Sequence, residues 1–177
     1  VICVDINKEK IKGLNQGVVP IFEPGLEKII KNSYRSECLK FSCNIKESIE
    51  HADVIFIAVG TPMKDDGSSN LSYIFNASKS IGEYINSYKI VITKSTIPVG
   101  TTIKVKKKID DMIKSRDVDI KFDICNNPEF LKEGKAVEDF MSPDRIIIGL
   151  ENNKIKTIIK KMYKPFSINY EKLIFMD

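Results

Sequence analysis

The stretch that decides the fold runs from residue 120 to residue 134 and reads IKFDICNNPEFLKEG. Its first five residues, Ile120 to Ile124, alternate apolar and polar side chains, which predicts a β-strand. Pro128 cannot donate a further ladder hydrogen bond, and it biases the residue before it toward an extended or turn conformation. Two acids, Glu129 and Glu133, follow and would share one face if the segment were helical.

These two acids support two interpretations. Side chains just beyond the carboxyl end of a parallel strand lie where open α/β sheets bind their ligands. Acids in the first turn of a helix are also favoured by the helix dipole, with no functional role. The spacing alone leaves both interpretations open.

Strand-like and helix-like segments alternate along the whole chain. The predicted strands are Val1–Val4, Leu39–Cys43, Asp53–Val59, Lys89–Thr93, Ile120–Ile124, Ile146–Gly149 and Leu173–Asp177. Alternation of this kind predicts a parallel sheet covered by helices, in the α/β class. The strand at Asp53–Val59 is nearly all apolar, so we expect a central strand buried on both faces.

Composition narrows the class of protein. The chain has 177 residues, of which 42% are hydrophobic and 29% charged, as in an ordinary globular domain. Its net charge of +4 suits an anionic small molecule and does not require nucleic acid. The basic run at Lys104–Lys108 has no interleaved aromatic residues to stack bases, so we expect a solvated helix face. No apolar run approaches the roughly 20 residues of a membrane span, so neither nucleic acid nor a membrane is an expected partner.

Cysteine and histidine usage argues against a zinc site and against disulfides. The four cysteines form no C-x-x-C pair, and His51 is the only histidine. Zinc usually needs such clustered ligands, so we predict no metal. Scattered cysteines in a chain without a secretory leader fit a reducing cytoplasm.

The acid Asp5 closes the first predicted strand. In dinucleotide-binding folds the acid that ends the second strand hydrogen-bonds the adenosine ribose, although many unrelated strands also end in Asp. None of the nine glycines forms a G-x-G phosphate turn. If the fold binds a dinucleotide, its first strand, phosphate turn and first helix should precede Val1, and both ends of the sequence look like those of a fragment.

Six motifs occur in order along the chain. They are Asp5-x4-Lys10; Leu14-Asn15-x-Gly17-x2-Pro20-Ile21-x-Glu23-Pro24-Gly25-Leu26; Val59-Gly60-Thr61-Pro62; Lys94-Ser95-Thr96-x-Pro98-Val99-Gly100-Thr101-Thr102; Asn127-Pro128-Glu129-Phe130-Leu131-Lys132-Glu133-Gly134; and Pro143-Asp144-Arg145-Ile146. Together they resemble the UDP-glucose/GDP-mannose dehydrogenase family over nearly the whole length. The fourth and fifth motifs are the most specific.

The resemblance implies a Rossmann-like doubly wound parallel sheet that lacks its first β-α unit, with residues 1–177 as the N-terminal cofactor-binding domain. It implies that two NAD molecules are reduced in turn as the C6 alcohol of a nucleotide sugar, here UDP-glucose, becomes a carboxylate. A homodimer formed through a central region beyond this chain would follow as well.

The same resemblance implies roles for individual residues. Asp5 and Lys10 would bind the ribose side of NAD, and Thr61 with Ser95 or Thr96 would line the cofactor cleft. Thr96 would hold a water near the reacting carbon, and Glu129 would be its acid/base partner. The nucleotide sugar would contact Glu129, Phe130, Leu131, Lys132 and Glu133, with Glu133 also facing the nicotinamide.

The departures from the family pattern limit what this chain can do alone. The family's nucleophilic cysteine belongs to a Gly-rich segment, and none of Cys3, Cys38, Cys43 and Cys125 lies in one. Cys125 is therefore expected to be a packed thiol. Two alternatives stay open: the same chemistry on GDP-mannose or UDP-N-acetylmannosamine, and a nucleotide-binding module without catalysis.

Overall fold

The computed structural model describes residues 1–166 and 172–176. Within them the strands are β1 (Ile2–Val4), β2 (Lys40–Ser42), β3 (Val54–Ile57), β4 (Lys89–Thr93), β5 (Phe122–Asn126), β6 (Ile146–Leu150) and β7 (Leu173–Met176). The α-helices are α1 (Lys8–Asn15), α2 (Leu26–Arg35), α3 (Ile45–His51), α4 (Ser72–Tyr84), α5 (Thr101–Ser115), α6 (Ala136–Met141) and α7 (Lys156–Tyr163). Each predicted strand overlaps an observed one, and Asp177 lies outside the described residues.

The chain forms two compact units. The first comprises Val1–Ser48 and Phe130–Pro143, and the second comprises Ile49–Glu129 and Asp144–Asp177. Each unit has a sheet of its own, with two strands in the first and five in the second.

In the first unit, β1 and β2 pair in parallel, and the two helices α1 and α2 lie between them in the chain. Asn7 caps α1 by accepting a hydrogen bond on its side-chain oxygen from the backbone N–H of Lys10, at 3.0 Å. Asn at this position satisfies a backbone donor that the helix leaves unpaired. The helix buries Ile11 and Leu14.

In the second unit the strand order is β3-β4-β5-β6-β7. The first two pairings are parallel, and so is the pairing of β6 with β7, which confirms the α/β class with a mostly parallel sheet. One pairing differs from the expected parallel sheet, because β6 runs antiparallel to β5 with Cys125 opposite Leu150 and Asn126 opposite Gly149. The start of β6 therefore lies beside the residues that follow β5.

The core of the second unit lies against β4 and β6. All five residues of β4 are buried, as expected for a strand covered on both faces. One cluster joins Ile90 and Ile92 of β4 with Ile148 of β6 and Ile159 of α7. Burial of a large aliphatic side chain is worth about 1.5–3 kcal/mol, so this cluster is a main source of stability.

The expectation of full burial is wrong for β3. This strand stands first in the order of the five-stranded sheet, and Phe56 is 42% exposed. An apolar strand sequence predicts burial, but the strand's place in the sheet decides how much of each face is covered.

A buried lysine at the start of β4 holds the segment that precedes β3. Lys89 is 1% exposed, and its Nζ donates to the carbonyl oxygens of Ala52 at 2.6 Å and Glu50 at 3.2 Å. Burial lowers the pKa of Lys89, while the negative charge of Asp53 opposes that shift. The lysine thus satisfies carbonyls at the end of α3 that the helix itself leaves unpaired.

Candidate active site

In the first unit, Asp5 and Lys10 form a charged pair at the end of β1. The Asp5 Oδ2 accepts a hydrogen bond from the Lys10 Nζ at 2.6 Å, and its Oδ1 accepts one from the Asn7 backbone N–H at 2.9 Å. The Lys10 hydrogen bond, followed by that of Asn7, lowers the pKa of Asp5. The carboxylate is therefore ionised and oriented, and its side chain stays 28% exposed and able to accept hydrogen bonds from hydroxyl groups.

In the second unit, a cleft of about 300 Å³ opens at the carboxyl ends of β3 and β4. Its lining consists of Ala58, Val59, Gly60, Thr61, Lys94, Ser95, Thr96 and Glu129. Because β3 and β4 run in parallel, their last residues meet at one edge of the sheet, which is where α/β folds bind ligands. Four of the residues predicted for the site, Thr61, Ser95, Thr96 and Glu129, share this cleft.

The hydroxyl side chains in the cleft differ in their hydrogen bonds and in their exposure. Ser95 is buried and donates to the carbonyl oxygen of Val59 at 2.7 Å, and Thr61 donates to the carbonyl oxygen of Thr96 at 3.0 Å. These two bonds tie the segment after β3 to the segment after β4. The Thr96 side chain is exposed at the cleft, which suits a group that meets a ligand.

The Asn-Pro-Glu turn brings Glu129 into the same cleft. The backbone N–H of Asn127 donates to the carbonyl oxygen of Thr93 at 2.9 Å, which holds the turn at the end of β4. The segment from Asn127 to Gly134 is not helical, since α6 begins at Ala136. The helical spacing of Glu129 and Glu133 therefore does not place them on a common face.

Sequence reasoning missed Lys94 as a member of the cleft. Its Nζ donates to the carbonyl oxygen of Pro128 at 3.5 Å. Burial lowers the pKa of Lys94, and the negative charge of Glu129 acts against that shift. The position directly after a buried strand and before Ser95 was the signal that could have revealed it.

The remaining predicted contacts belong to the first unit. Phe130 is 47% exposed and Leu131 38% exposed, and the Lys132 and Glu133 side chains are exposed too. The side chain of Glu23 holds this segment: its Oε2 accepts a hydrogen bond from the backbone N–H of Gly134 at 2.8 Å.

Cys125 and the possible metal ligands complete the description of the ionisable groups. Cys125 is 1% exposed, and burial, with the negative charge of Asp123, raises its pKa to about 12, as expected for a packed thiol. Among residues 1–166 and 172–176, no three His, Cys, Asp or Glu side chains lie together as metal ligands would. Over the same residues, every helix is too short or too polar to cross a membrane.

The sequence model for the NAD binding domain of the UDP-glucose/GDP-mannose dehydrogenase family matches residues 1–167. The chain belongs to this family. Its match to the NAD binding domain identifies NAD as the cofactor of this fold.

Individual relatives agree with the family assignment. The chain is 42% identical over 166 residues to UDP-glucose 6-dehydrogenase TuaD of Bacillus subtilis, covering 94% of this chain and 35% of that protein. The solved structure of a UDP-glucose dehydrogenase from Pyrobaculum islandicum matches with a TM-score of 0.91 and 34% identity, covering 100% of this chain and 40% of that one. GDP-mannose dehydrogenase from Pseudomonas aeruginosa matches with a TM-score of 0.89 and 30% identity, covering 99% and 40%. The chain thus spans about two fifths or less of the length of these dehydrogenases.

The residues present fit part of an NAD site. The ionised, partly exposed Asp5 can accept hydrogen bonds from ribose hydroxyls, and the cleft with Thr61 and Thr96 offers exposed polar groups at the strand ends. A phosphate turn of the G-x-G type is absent from the 177-residue sequence. An acceptor for ribose hydroxyls in the first unit and a polar cleft at the strand ends of the second are therefore both features of this chain.

Proposed function

We propose that this chain is the NAD-binding part of an enzyme that oxidises UDP-glucose to UDP-glucuronate, as bacterial UDP-glucose 6-dehydrogenases do. The reaction removes four electrons from the sugar and reduces two NAD molecules. The observation that carries the proposal is the shared cleft of Thr96 and Glu129 at the carboxyl ends of β3 and β4. An exposed hydroxyl and a carboxylate in one cleft are the groups that the orientation and deprotonation of a water molecule require.

The residues of the cleft divide the work. Thr96 orients the water, and Glu129 takes a proton from it as the water oxygen attacks the carbonyl carbon of a thioester. The carbon–sulfur bond breaks, and Glu129 passes the proton taken from water to the leaving sulfur. The acid formed releases its remaining proton to solvent, and the sugar leaves as a carboxylate. Thr61 and Ser95 hold the cleft in shape through their bonds to backbone carbonyls.

The other predicted contacts complete the proposal. Asp5, with Lys10 beside it, accepts hydrogen bonds from the ribose hydroxyls of NAD. Its negative charge would repel the extra phosphate of NADP. Residues 130–132 contact the nucleotide sugar, and Glu133 faces the nicotinamide.

The rest of the chemistry belongs to a longer protein. Because the chain spans about two fifths of its relatives, we propose that the cysteine nucleophile and the dimer contacts lie outside it. The isolated chain should then bind NAD weakly and turn nothing over. Cytoplasmic location and service to polysaccharide synthesis are part of the same proposal.

Two alternatives compete. Oxidation of GDP-mannose, or of UDP-N-acetylmannosamine, would use the same cleft. The similarity to a GDP-mannose dehydrogenase structure supports GDP-mannose as an alternative substrate. A binding module without catalysis would need no group that positions water, so the presence of both Thr96 and Glu129 in the cleft disfavours it.

The deciding experiment measures NADH formation by the full-length protein with UDP-glucose, GDP-mannose and UDP-N-acetylmannosamine offered separately. We expect two NADH per UDP-glucose. Activity on another sugar would keep the mechanism and change the substrate, and no reduction with any sugar would favour the binding module.

A further inference from the structure

The amide side chain of Asn127, two residues before Glu129, is held from three directions inside the second unit. It is 1% exposed, and its backbone N–H donates to Thr93 of β4. Its side-chain nitrogen donates to the carbonyl oxygen of Ile147 in β6 at 2.9 Å, and its side-chain oxygen accepts a hydrogen bond from the Tyr163 hydroxyl. A buried amide with all these partners has one orientation, because any rotation leaves polar atoms unpaired.

Tyr163 is the last residue of α7 and lies in the core. It is 6% exposed and packs in the same cluster as Ile155 and Ile159. Burial, followed by the effect of Cys125, raises the pKa of its phenol to about 12, so the hydroxyl stays protonated and donates at physiological pH. Tyr163 does not line the cleft.

The connection from this amide to Glu129 is short and stiff. Pro128 fixes its own φ angle and restricts the conformation of Asn127. The Pro128 carbonyl oxygen accepts a hydrogen bond from Lys94 Nζ at 3.5 Å, on the cleft side. The position of Glu129 relative to Thr96 therefore depends on where the Asn127 amide is held.

We propose that Tyr163 is a positioning residue that sets the place of the Glu129 carboxylate in the cleft by fixing the Asn127 amide. This inference rests on the proposed function, in which Glu129 assists thioester hydrolysis. It assigns to α7 a role in the reaction through a hydrogen bond within the core.

The test uses Tyr163→Phe in the full-length protein, which removes one hydroxyl and keeps the ring. Small misplacement of a catalytic group can cost up to about 100-fold in rate, so we expect kcat with UDP-glucose to fall by roughly 10- to 100-fold. The KM for NAD should stay within about twofold, because the tyrosine does not line the cleft. Mass spectrometry during turnover should show a covalent sugar adduct, since hydrolysis is the slowed step.

Two further variants separate positioning from loss of stability. Ile159→Val removes core packing one turn earlier in α7 and leaves the amide network intact, so its kcat should match the wild type. In a Glu129→Gln background, Tyr163→Phe should cause no further loss, because its target is already gone. If Tyr163→Phe fails to fold, Asn127→Asp replaces it, since it keeps the acceptor and loses the donor to Ile147; it should accumulate the same adduct.

The outcomes distinguish this inference from the proposed function. An active wild type together with a Tyr163→Phe variant that behaves like Ile159→Val would overturn the positioning role alone. So would equal, independent losses from Tyr163→Phe with and without Glu129→Gln. A wild-type protein that reduces no NAD with any nucleotide sugar would remove the proposed function and this inference with it.

Discussion

Replacement of Gly82 by alanine probes the close contact between α4 and α5. A Cβ atom at Gly82 would lie 2.6 Å from the Cβ of Met112 and 2.8 Å from the carbonyl oxygen of Ile109. Favourable carbon contacts lie at about 3.5–4.0 Å, so the two helices would have to separate by roughly 1 Å. Separation would also disturb Arg116, whose Nη1 donates to the carbonyl oxygens of Gly82 at 2.9 Å and Ile85 at 2.7 Å.

The magnitude follows from two opposing effects. Overpacking of this kind costs about 1–3 kcal/mol, and the obstacle here includes backbone, which has no alternative rotamer, so we take about 3 kcal/mol. Alanine regains about 1 kcal/mol of helix propensity over glycine. The expected net effect of Gly82→Ala is a loss of about 2 kcal/mol.

Hydrogen exchange of the α4 and α5 amides in the full-length protein measures this change as a free energy of opening. Gly13→Ala in α1 is the matched control, because the nearest atom to its added Cβ would be 3.8 Å away, an ordinary contact. It should stabilise α1 by about 1 kcal/mol. An unchanged or raised opening free energy in Gly82→Ala would refute the reasoning about close packing.

Three further outcomes are expected. Glu129→Gln should slow the second half-reaction by about 100-fold or more and let a thioester accumulate, as seen by mass spectrometry of the intact protein; normal turnover without an adduct would contradict its role. Iodoacetamide at about pH 8 should label the exposed Cys38 and spare Cys125, because burial raises the pKa of Cys125 to about 12; a modified Cys125 in the native protein would contradict its burial. Tyr88 is half exposed, and its partial burial and its hydrogen bond to Asp123 raise its pKa to about 12, above the usual value of about 10 for an unfolded chain. The contribution of Tyr88 to stability is therefore complete below about pH 10 and is lost as the pH rises toward 12. Ultraviolet titration should show one late-ionising tyrosine fewer in Tyr88→Phe, and an unchanged titration would count against this hydrogen bond.

Local patterns in the sequence determined much of the fold. The sequence predicted a strand at Lys89–Thr93, and β4 spans these same residues. Asn7 is a residue type that favours helix N-caps, and its side-chain oxygen accepts a hydrogen bond from the Lys10 backbone N–H. These features depend on a few neighbouring residues, so the rules of periodicity and helix capping can predict them.

Motifs also determined which residues share the cleft. Thr61, Ser95, Thr96 and Glu129 each follow a predicted strand, and the parallel arrangement brings three strand ends to one edge. The sequence did not separate the buried Ser95, which bonds to backbone, from the exposed Thr96, because both carry a hydroxyl in adjacent positions.

The tertiary structure alone decided the features that depend on distant residues. The Ile-Ile-Ile-Gly-Leu sequence of β6 does not predict the direction of the strand. Its antiparallel pairing with β5 nevertheless brings Ile147 to the Asn127 amide. Tyr163 reads as one more apolar position on a helix until the fold places its hydroxyl on that amide. Residues 36 positions apart meet there because hydrophobic packing and the pairing of strands act over the whole chain, while sequence patterns act over a few residues.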